Sequence, residues 1–156
     1  SLNNSVTNIF KRRISKIFKI EGFDFKEYSY FHPRCTQEEF FGLIEESDII
    51  LDSFNWSGGN TTLEAISLNK PVVTCPSSFM RGRHTYGILK TIGVGETIAT
   101  SKKEYVEIAV KLANNINFRD SIVNKIKKNK QKLYNDEKPI RFLEEVIRKN
   151  VKIQDI

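Results

Sequence analysis

Two short apolar runs, Ile49-Ile-Leu51 and Pro71-Val-Val-Thr-Cys75, constrain this chain more than any other feature. Both are apolar almost throughout rather than alternating, as strands covered on both faces are. The segment between them holds a loop with Gly58 and Gly59, an Asn60 placed to cap, and a helix from Thr61 to about Leu68. Parallel strands need such a crossover, and a strand–helix–strand crossover is right-handed. A parallel sheet flanked by helices is therefore the expected core.

The rest of the chain repeats the alternation. Apolar residues at 6, 9, 10, 14, 17 and 18 predict an amphipathic helix with a basic outer face, stopped at Gly22. Tyr28-Ser-Tyr-Phe31 reads as a short aromatic strand. Thr36-Gln-Glu-Glu39 is a capping box opening a helix to about Glu46. A helix near Thr85–Ile92 and a short strand over Gly95–Ala99 follow the second apolar run. Ser101-Lys-Lys-Glu104 is another capping box, opening a helix to about Asn114. Two basic helices, about 119–133 and 139–150, finish the chain. The fold expected is α/β: one Rossmann-like domain over 1–156, with a parallel sheet and helices on both faces. Three or four strands are fewer than a doubly wound half holds, and a helix comes first, so a first strand or two is expected to be missing.

Charge narrows the partners. The chain carries +6 overall, but residues 1–20 hold +5, residues 101–156 hold +6 and residues 21–100 hold −5. The basic excess lies on terminal helices that read as solvated faces, and the acidic middle counts against nucleic acid. Cys35 and Cys75 form no paired motif, and His32 and His84 lack ligand spacing to them. Two reduced thiols in a cytoplasmic protein and no metal site are expected. No apolar run approaches the roughly 20 residues of a membrane helix, and no signal peptide is visible. An opening Ser1-Leu2 without Met suggests a chain processed or cut from something longer.

The chemistry concentrates in Leu51-Asp-Ser-Phe-Asn-Trp-Ser-Gly-Gly-Asn-Thr-Thr-Leu-Glu-Ala-Ile66. In open α/β sheets ligands sit beyond the carboxyl ends of the strands. Gly58 and Gly59 allow close backbone approach, and Thr61 and Thr62 offer first-turn N–H groups and two hydroxyls. That is an anion site suited to a diphosphate without a lysine. Glu64, read as part of the same turn, would accept hydrogen bonds from a diol such as a ribose. The same residues also read as an ordinary loop and cap, with Glu64 complementing the helix dipole. No G-K-[ST] and no G-x-G-x-x-G is present. Arg81, Arg83 and His84 follow the second strand onto the same rim, where Arg and His suit phosphate; solvated arginines near a helix start are the plainer alternative. Ser57 lacks a partner for nucleophilic catalysis.

The stretch resembles the C-terminal half of family 41 glycosyltransferases, the O-linked N-acetylglucosaminyltransferases and their bacterial relatives with tetratricopeptide repeats. The residues are Leu51-Asp-Ser-Phe, Gly59-Asn-Thr-Thr-Leu-Glu-Ala, Lys70-Pro-Val-Val-Thr, Phe79-Met-Arg-Gly-Arg-His-Thr-Tyr-Gly-Ile-Leu89 and Glu96 through Leu112. The Arg-Gly-Arg-His element is most similar to the bacterial branch. The resemblance implies the second half of a GT-B fold, the half that binds a UDP-sugar, with the catalytic groups in an N-terminal Rossmann half. By position, Gly59, Asn60, Thr61, Thr62, Arg83 and His84 would hold the diphosphate, and Glu64, Gln37 and Phe40 the ribose and base. Asn60 stands where the animal enzymes have histidine. Gln37 and Phe40 stand where they have lysine and histidine. The implied reaction moves N-acetylglucosamine from UDP to a protein hydroxyl or another acceptor, with no cofactor or metal and no membrane. Two alternatives remain: a UDP-sugar 2-epimerase on the same fold, and a non-catalytic module binding through its basic helices.

Overall fold

The computed structural model describes residues 4–151. The chain divides into two compact units that part between Gly42 and Leu43. The ends of the domain expected over 1–156, residues 1–3 and 152–156, lie outside the described residues.

The first unit is built on α1 (Asn4–Ile20). Two of its rings meet others edge-on: Phe18 with Phe25 at 5.8 Å and Phe10 with Phe31 at 6.2 Å between centroids. Such ring pairs are the favoured arrangement for aromatic side chains. The strand expected over Tyr28–Phe31 does not form. Asp24 accepts from Lys26 N–H at 2.9 Å and opens a single turn, α2 (Phe25–Tyr28). Tyr28 and Phe31 pack on α1, the exposed Tyr30 meets His32, and no strand lies beside them among the described residues. The Thr36 capping box forms as expected. Thr36 N–H donates to Glu39 Oε2 at 2.7 Å and Glu39 N–H to Thr36 Oγ1 at 3.2 Å, starting α3 (Gln37–Glu46).

In the second unit β1 (Ile50–Leu51) and β2 (Val72–Val73) pair in parallel, Ile50 opposite Val72 and Leu51 opposite Val73. α4 (Asn60–Ser67) is the crossover between them. Successive strand residues face opposite sides, and Val72 and Val73 are 1% and 0% exposed, so β2 is covered on both. Leu51 is 54% exposed, so β1 is not the buried strand expected. It is an edge strand, with β2 on one side and no strand on the other among the described residues. The strand expected over Gly95–Ala99 shrinks to one parallel bridge between Thr74 and Ile98. Ile98 N–H turns back onto Gly95 O at 3.1 Å, which leaves the ladder only Thr74 N–H to Thr97 O and Ala99 N–H to Thr74 O.

Four helices follow: α5 (His84–Thr91), α6 (Lys102–Asn114), α7 (Ile116–Asn129) and α8 (Lys138–Asn150). The core joins Ile66, Leu89, Ile92, Leu112, Ile122 and Ile126, all fully buried. Ser101 caps α6 by accepting Glu104 N–H at 3.1 Å. The Glu104 carboxylate accepts from the Thr100 hydroxyl and N–H, which hold its pKa below the usual carboxylate value. Arg119 on α7 donates to the last carbonyls of α6, Leu112 O at 3.1 Å and Ala113 O at 3.2 Å, a cation at a helix C-terminus. No helix among the described residues is long and apolar enough to cross a membrane. Cys35 and Cys75 are both free.

Candidate functional site

β1 delivers Asp52 to the carboxyl end of the strand pair, where Asp52 N–H continues the ladder onto Val73 O at 2.9 Å. The side chain is 8% exposed. A carboxylate can only accept, and three donors converge on this one. Ser57 Oγ and Thr74 Oγ1 each donate to Oδ2 at 2.7 Å, and Gly58 N–H donates to Oδ1 at 2.8 Å. The loop 52–59 is thereby drawn back over its own aspartate. Tyr105 adds a fourth tie, donating to the Asp52 carbonyl at 2.9 Å. Burial, then the negative charges of Asp52 and Cys75, push the Tyr105 phenol up to about 12.

The start of α4 differs from the expectation in two ways. Gly59, not Asn60, is the N-cap, with φ −98° and ψ −89° and no side-chain cap bond. The helix therefore begins one residue early and Glu64 opens its second turn. The two threonines also part company. Thr61 is exposed, while Thr62 is 3% exposed. The Thr62 hydroxyl lies 3.0 Å from Gly58 O and 2.8 Å from Thr85 Oγ1, so it is spent inside. Thr62 N–H is spent too, turning back to Gly59 O at 3.1 Å. The outward donors of this turn are the N–H groups of Asn60 and Thr61, which have no acceptor among the described residues, and the Thr61 hydroxyl. Glu64 is half-buried and sits one turn above Asn60 on the same helix face.

Arg83 stands at the N-cap of α5 and His84 is its first residue. His84 is exposed. Arg83 Nη1 donates to Ser77 O at 2.9 Å, and the guanidinium lies 4.5 Å from the Tyr86 ring centroid. One edge of the fork is thus committed to holding the 76–83 loop, and its other donors have no partner among the described residues. Arg81 is exposed and stacks over Phe79 at 4.7 Å. Ser57 N–H donates to Arg81 O at 2.8 Å, fastening this loop to the one before α4. Gln37 and Phe40 lie on α3 in the first unit, Gln37 exposed and Phe40 half-buried. No group of three or more His, Cys, Asp and Glu side chains converges among the described residues.

Sequence reasoning missed the interior of this site. Asp52 carried a signal, an acid closing an apolar run with Ser and Gly five and six residues on. Thr85 and Tyr105, which complete its surroundings from 28 residues beyond Ser57 and 53 residues beyond Asp52, carried none.

Against known proteins, the profile of glycosyl transferase family 41 matches residues 12–139. The chain belongs to glycosyl transferase family 41. Among curated relatives, a probable UDP-N-acetylglucosamine–peptide N-acetylglucosaminyltransferase SPINDLY of Petunia hybrida is 36% identical over 69 residues, 44% of this chain and 7% of that protein. A UDP-N-acetylglucosamine–peptide N-acetylglucosaminyltransferase of Caenorhabditis elegans is 32% identical over 78 residues, 50% of this chain and 7% of its own length. The family 41 chain thus matches a small part of much longer relatives. A solved mutant O-GlcNAc transferase of Thermobaculum terrenum superposes with a TM-score of 0.74 at 22% identity, over 90% of this chain and 27% of that one. That likeness is one of fold.

Proposed function

We propose that this family 41 chain is the nucleotide-sugar-binding part of a GT-B glycosyltransferase, Rossmann-like with helices on both faces of its sheet. In the intact protein it would move N-acetylglucosamine from UDP to a protein hydroxyl, as the names of its relatives suggest. The observation that carries the reading is the start of α4. Two N–H groups with no acceptor among the described residues and the hydroxyl of an exposed threonine stand beyond the end of β1, next to a loop held by Asp52. A helix N-terminus of this kind favours the negative charge that builds on a departing diphosphate. Arg83 and His84 stand at the neighbouring helix start, where the guanidinium adds a cationic donor and the imidazole a ring N–H. Leaving-group stabilisation is assigned to these groups and not to a metal. Glu64, above Asn60, is assigned to the ribose diol, and Gln37 and Phe40 to the base. The base that activates the acceptor is placed in an N-terminal Rossmann half, with tetratricopeptide repeats as in the bacterial branch, in a cytoplasmic protein.

Calorimetric titration of UDP, uridine and pyrophosphate into the full-length protein tests the reading. Wild type should bind UDP more tightly than uridine. Glu64→Gln should weaken UDP and uridine alike, because both carry the diol, and should leave pyrophosphate unchanged or tighter. Uridine affinity untouched by Glu64→Gln would make Glu64 a helix-dipole residue and remove the ribose assignment.

A further inference from the structure

Two loops shape the proposed donor site, 52–59 before α4 and 76–83 before α5. An unbroken run of buried hydrogen bonds joins their roots. Thr74, at the end of β2, and Ser57 both donate to Asp52 Oδ2. Thr85 N–H donates to Ser57 Oγ at 2.9 Å, and the two hydroxyl oxygens lie 2.8 Å apart. Thr85 Oγ1 in turn lies 2.8 Å from Thr62 Oγ1 and 3.1 Å from Gly58 O. Asp52, Ser57, Thr62, Thr74 and Thr85 are all buried. The ends of both strands and the first turns of both helices therefore meet on five side chains. The Asp52 carboxylate makes no ion pair among the described residues and is satisfied by neutral donors alone. Buried networks of this kind fix geometry when every member is satisfied.

We infer that Asp52 and Thr85 are positioning residues, locking the N-terminus of α4 and the Arg83–His84 corner into one rigid cradle for a pyrophosphate. The inference rests on the donor-site reading above. Asp52 has its oxygens occupied from within and Thr85 is fully buried, so both act through others. Their effect is preorganisation: donors already aimed need no ordering when the ligand arrives.

Three variants of the full-length protein test this: Asp52→Asn, Asp52→Ala and Thr85→Val. An asparagine can take Gly58 N–H on Oδ1 and donate from Nδ2 to the Ser57 and Thr74 hydroxyls, which accept as well as donate. The Ser57 proton then turns to Thr85 Oγ1, a contact already in place. Asp52→Asn therefore keeps both loop contacts without the charge, and only the Thr74 proton gives up its acceptor. Two readouts are taken: affinity for UDP and uridine, and amide exchange of 55–62 and 83–88 without ligand. Asp52→Ala and Thr85→Val should weaken UDP by about tenfold or more, uridine far less, and speed exchange in both segments together. Asp52→Asn should stay within about threefold of wild type in both readouts, well short of the loss in Asp52→Ala. Thr85→Val keeps its side-chain shape and serves if Asp52→Ala does not fold. Asp52→Asn as damaged as Asp52→Ala would show a need for charge rather than position and overturn the inference. So would faster exchange in one segment only. If wild type binds no UDP, the donor-site reading fails while the exchange arm still decides the coupling of the loops.

Discussion

Gly58 and Gly59 look equivalent in the sequence, and the structure separates them. A Cβ on Gly58 would lie 2.7 Å from both Thr61 Oγ1 and Thr62 Oγ1, and 3.7 Å from Asp52 Oδ1. A Cβ on Gly59 would meet nothing within 4 Å, and its φ of −98° is open to any residue. Gly58→Ala therefore forces a movement. Thr61 is exposed and can rotate away at little cost. Thr62 cannot, because its hydroxyl is held by Gly58 O and Thr85 Oγ1. Rotating it gives up two contacts, each worth about 0.5–1.5 kcal/mol, within the range of about 1–3 kcal/mol for overpacking a tight site. The assay is native-state amide exchange of the full-length protein, read on the segment holding the N–H groups of Ser57 and Gly58. At about 1.4 kcal/mol per factor of ten, local opening in Gly58→Ala should speed exchange about 5- to 150-fold. Gly59→Ala should exchange as wild type. Equal exchange in the two variants would refute the claim that Gly58 is required by packing against Thr62.

Two further outcomes follow from the same geometry. Thr61→Val should cost about 0.5–1.5 kcal/mol of UDP affinity with an unchanged melting temperature; Thr62→Val should lower the melting temperature of the full-length protein, because it removes the buried hydroxyl's bonds to Thr85 Oγ1 and Gly58 O. Tyr105→Phe should cost about 0.5–1.5 kcal/mol near neutral pH by removing the bond to Asp52 O. With its phenol pushed up to about 12 in the folded protein, Tyr105 keeps its proton above pH 10 while the unfolded chain, with an ordinary phenol near 10, releases it. Stability in wild type should therefore fall by about 1.4 kcal/mol per pH unit across that window. The melting difference between the two proteins should narrow there, and a constant difference would remove Tyr105 from the account.

What was legible in the sequence was local. Thr36 with Glu39 and Ser101 with Glu104 announced helix starts because a cap and an acid lie three residues apart, the acid reaching back to Thr36 N–H in the first and to Thr100 N–H in the second. The crossover from Ile49-Ile-Leu51 to Pro71-Val-Val was readable because apolar runs and glycine loops alternate at short range. Failures came where distant partners decide. Tyr28–Phe31 has strand composition, but β-propensity needs a neighbour to pair with, and the Tyr28 and Phe31 rings pack on α1 instead. Gly95–Ala99 lost its ladder to a turn within itself. In the site, the diglycine loop and the helix start were readable. The inward turn of Thr62 was not, because it is fixed by Thr85, 23 residues along the chain.

The charge distribution bears on how this site can recognise anything. Residues 21–100 carry −5, and the carboxylate of Asp52 lies directly beneath the loop. A diphosphate approaching that segment is not drawn in by its net charge. At physiological salt, fields from exposed charges fade over about 8 Å. On the proposed donor-site reading, what favours the anion is short-range: two amide donors and a hydroxyl on α4, and the edge of Arg83 that has no partner among the described residues. Donors of this kind act over hydrogen-bond distances and lose strength steeply with misalignment. A site that works against its own local charge depends on geometry rather than on field. That is why its buried floor is so fully bonded, and why small displacements of the 52–59 loop should harm it more than the loss of any surface lysine.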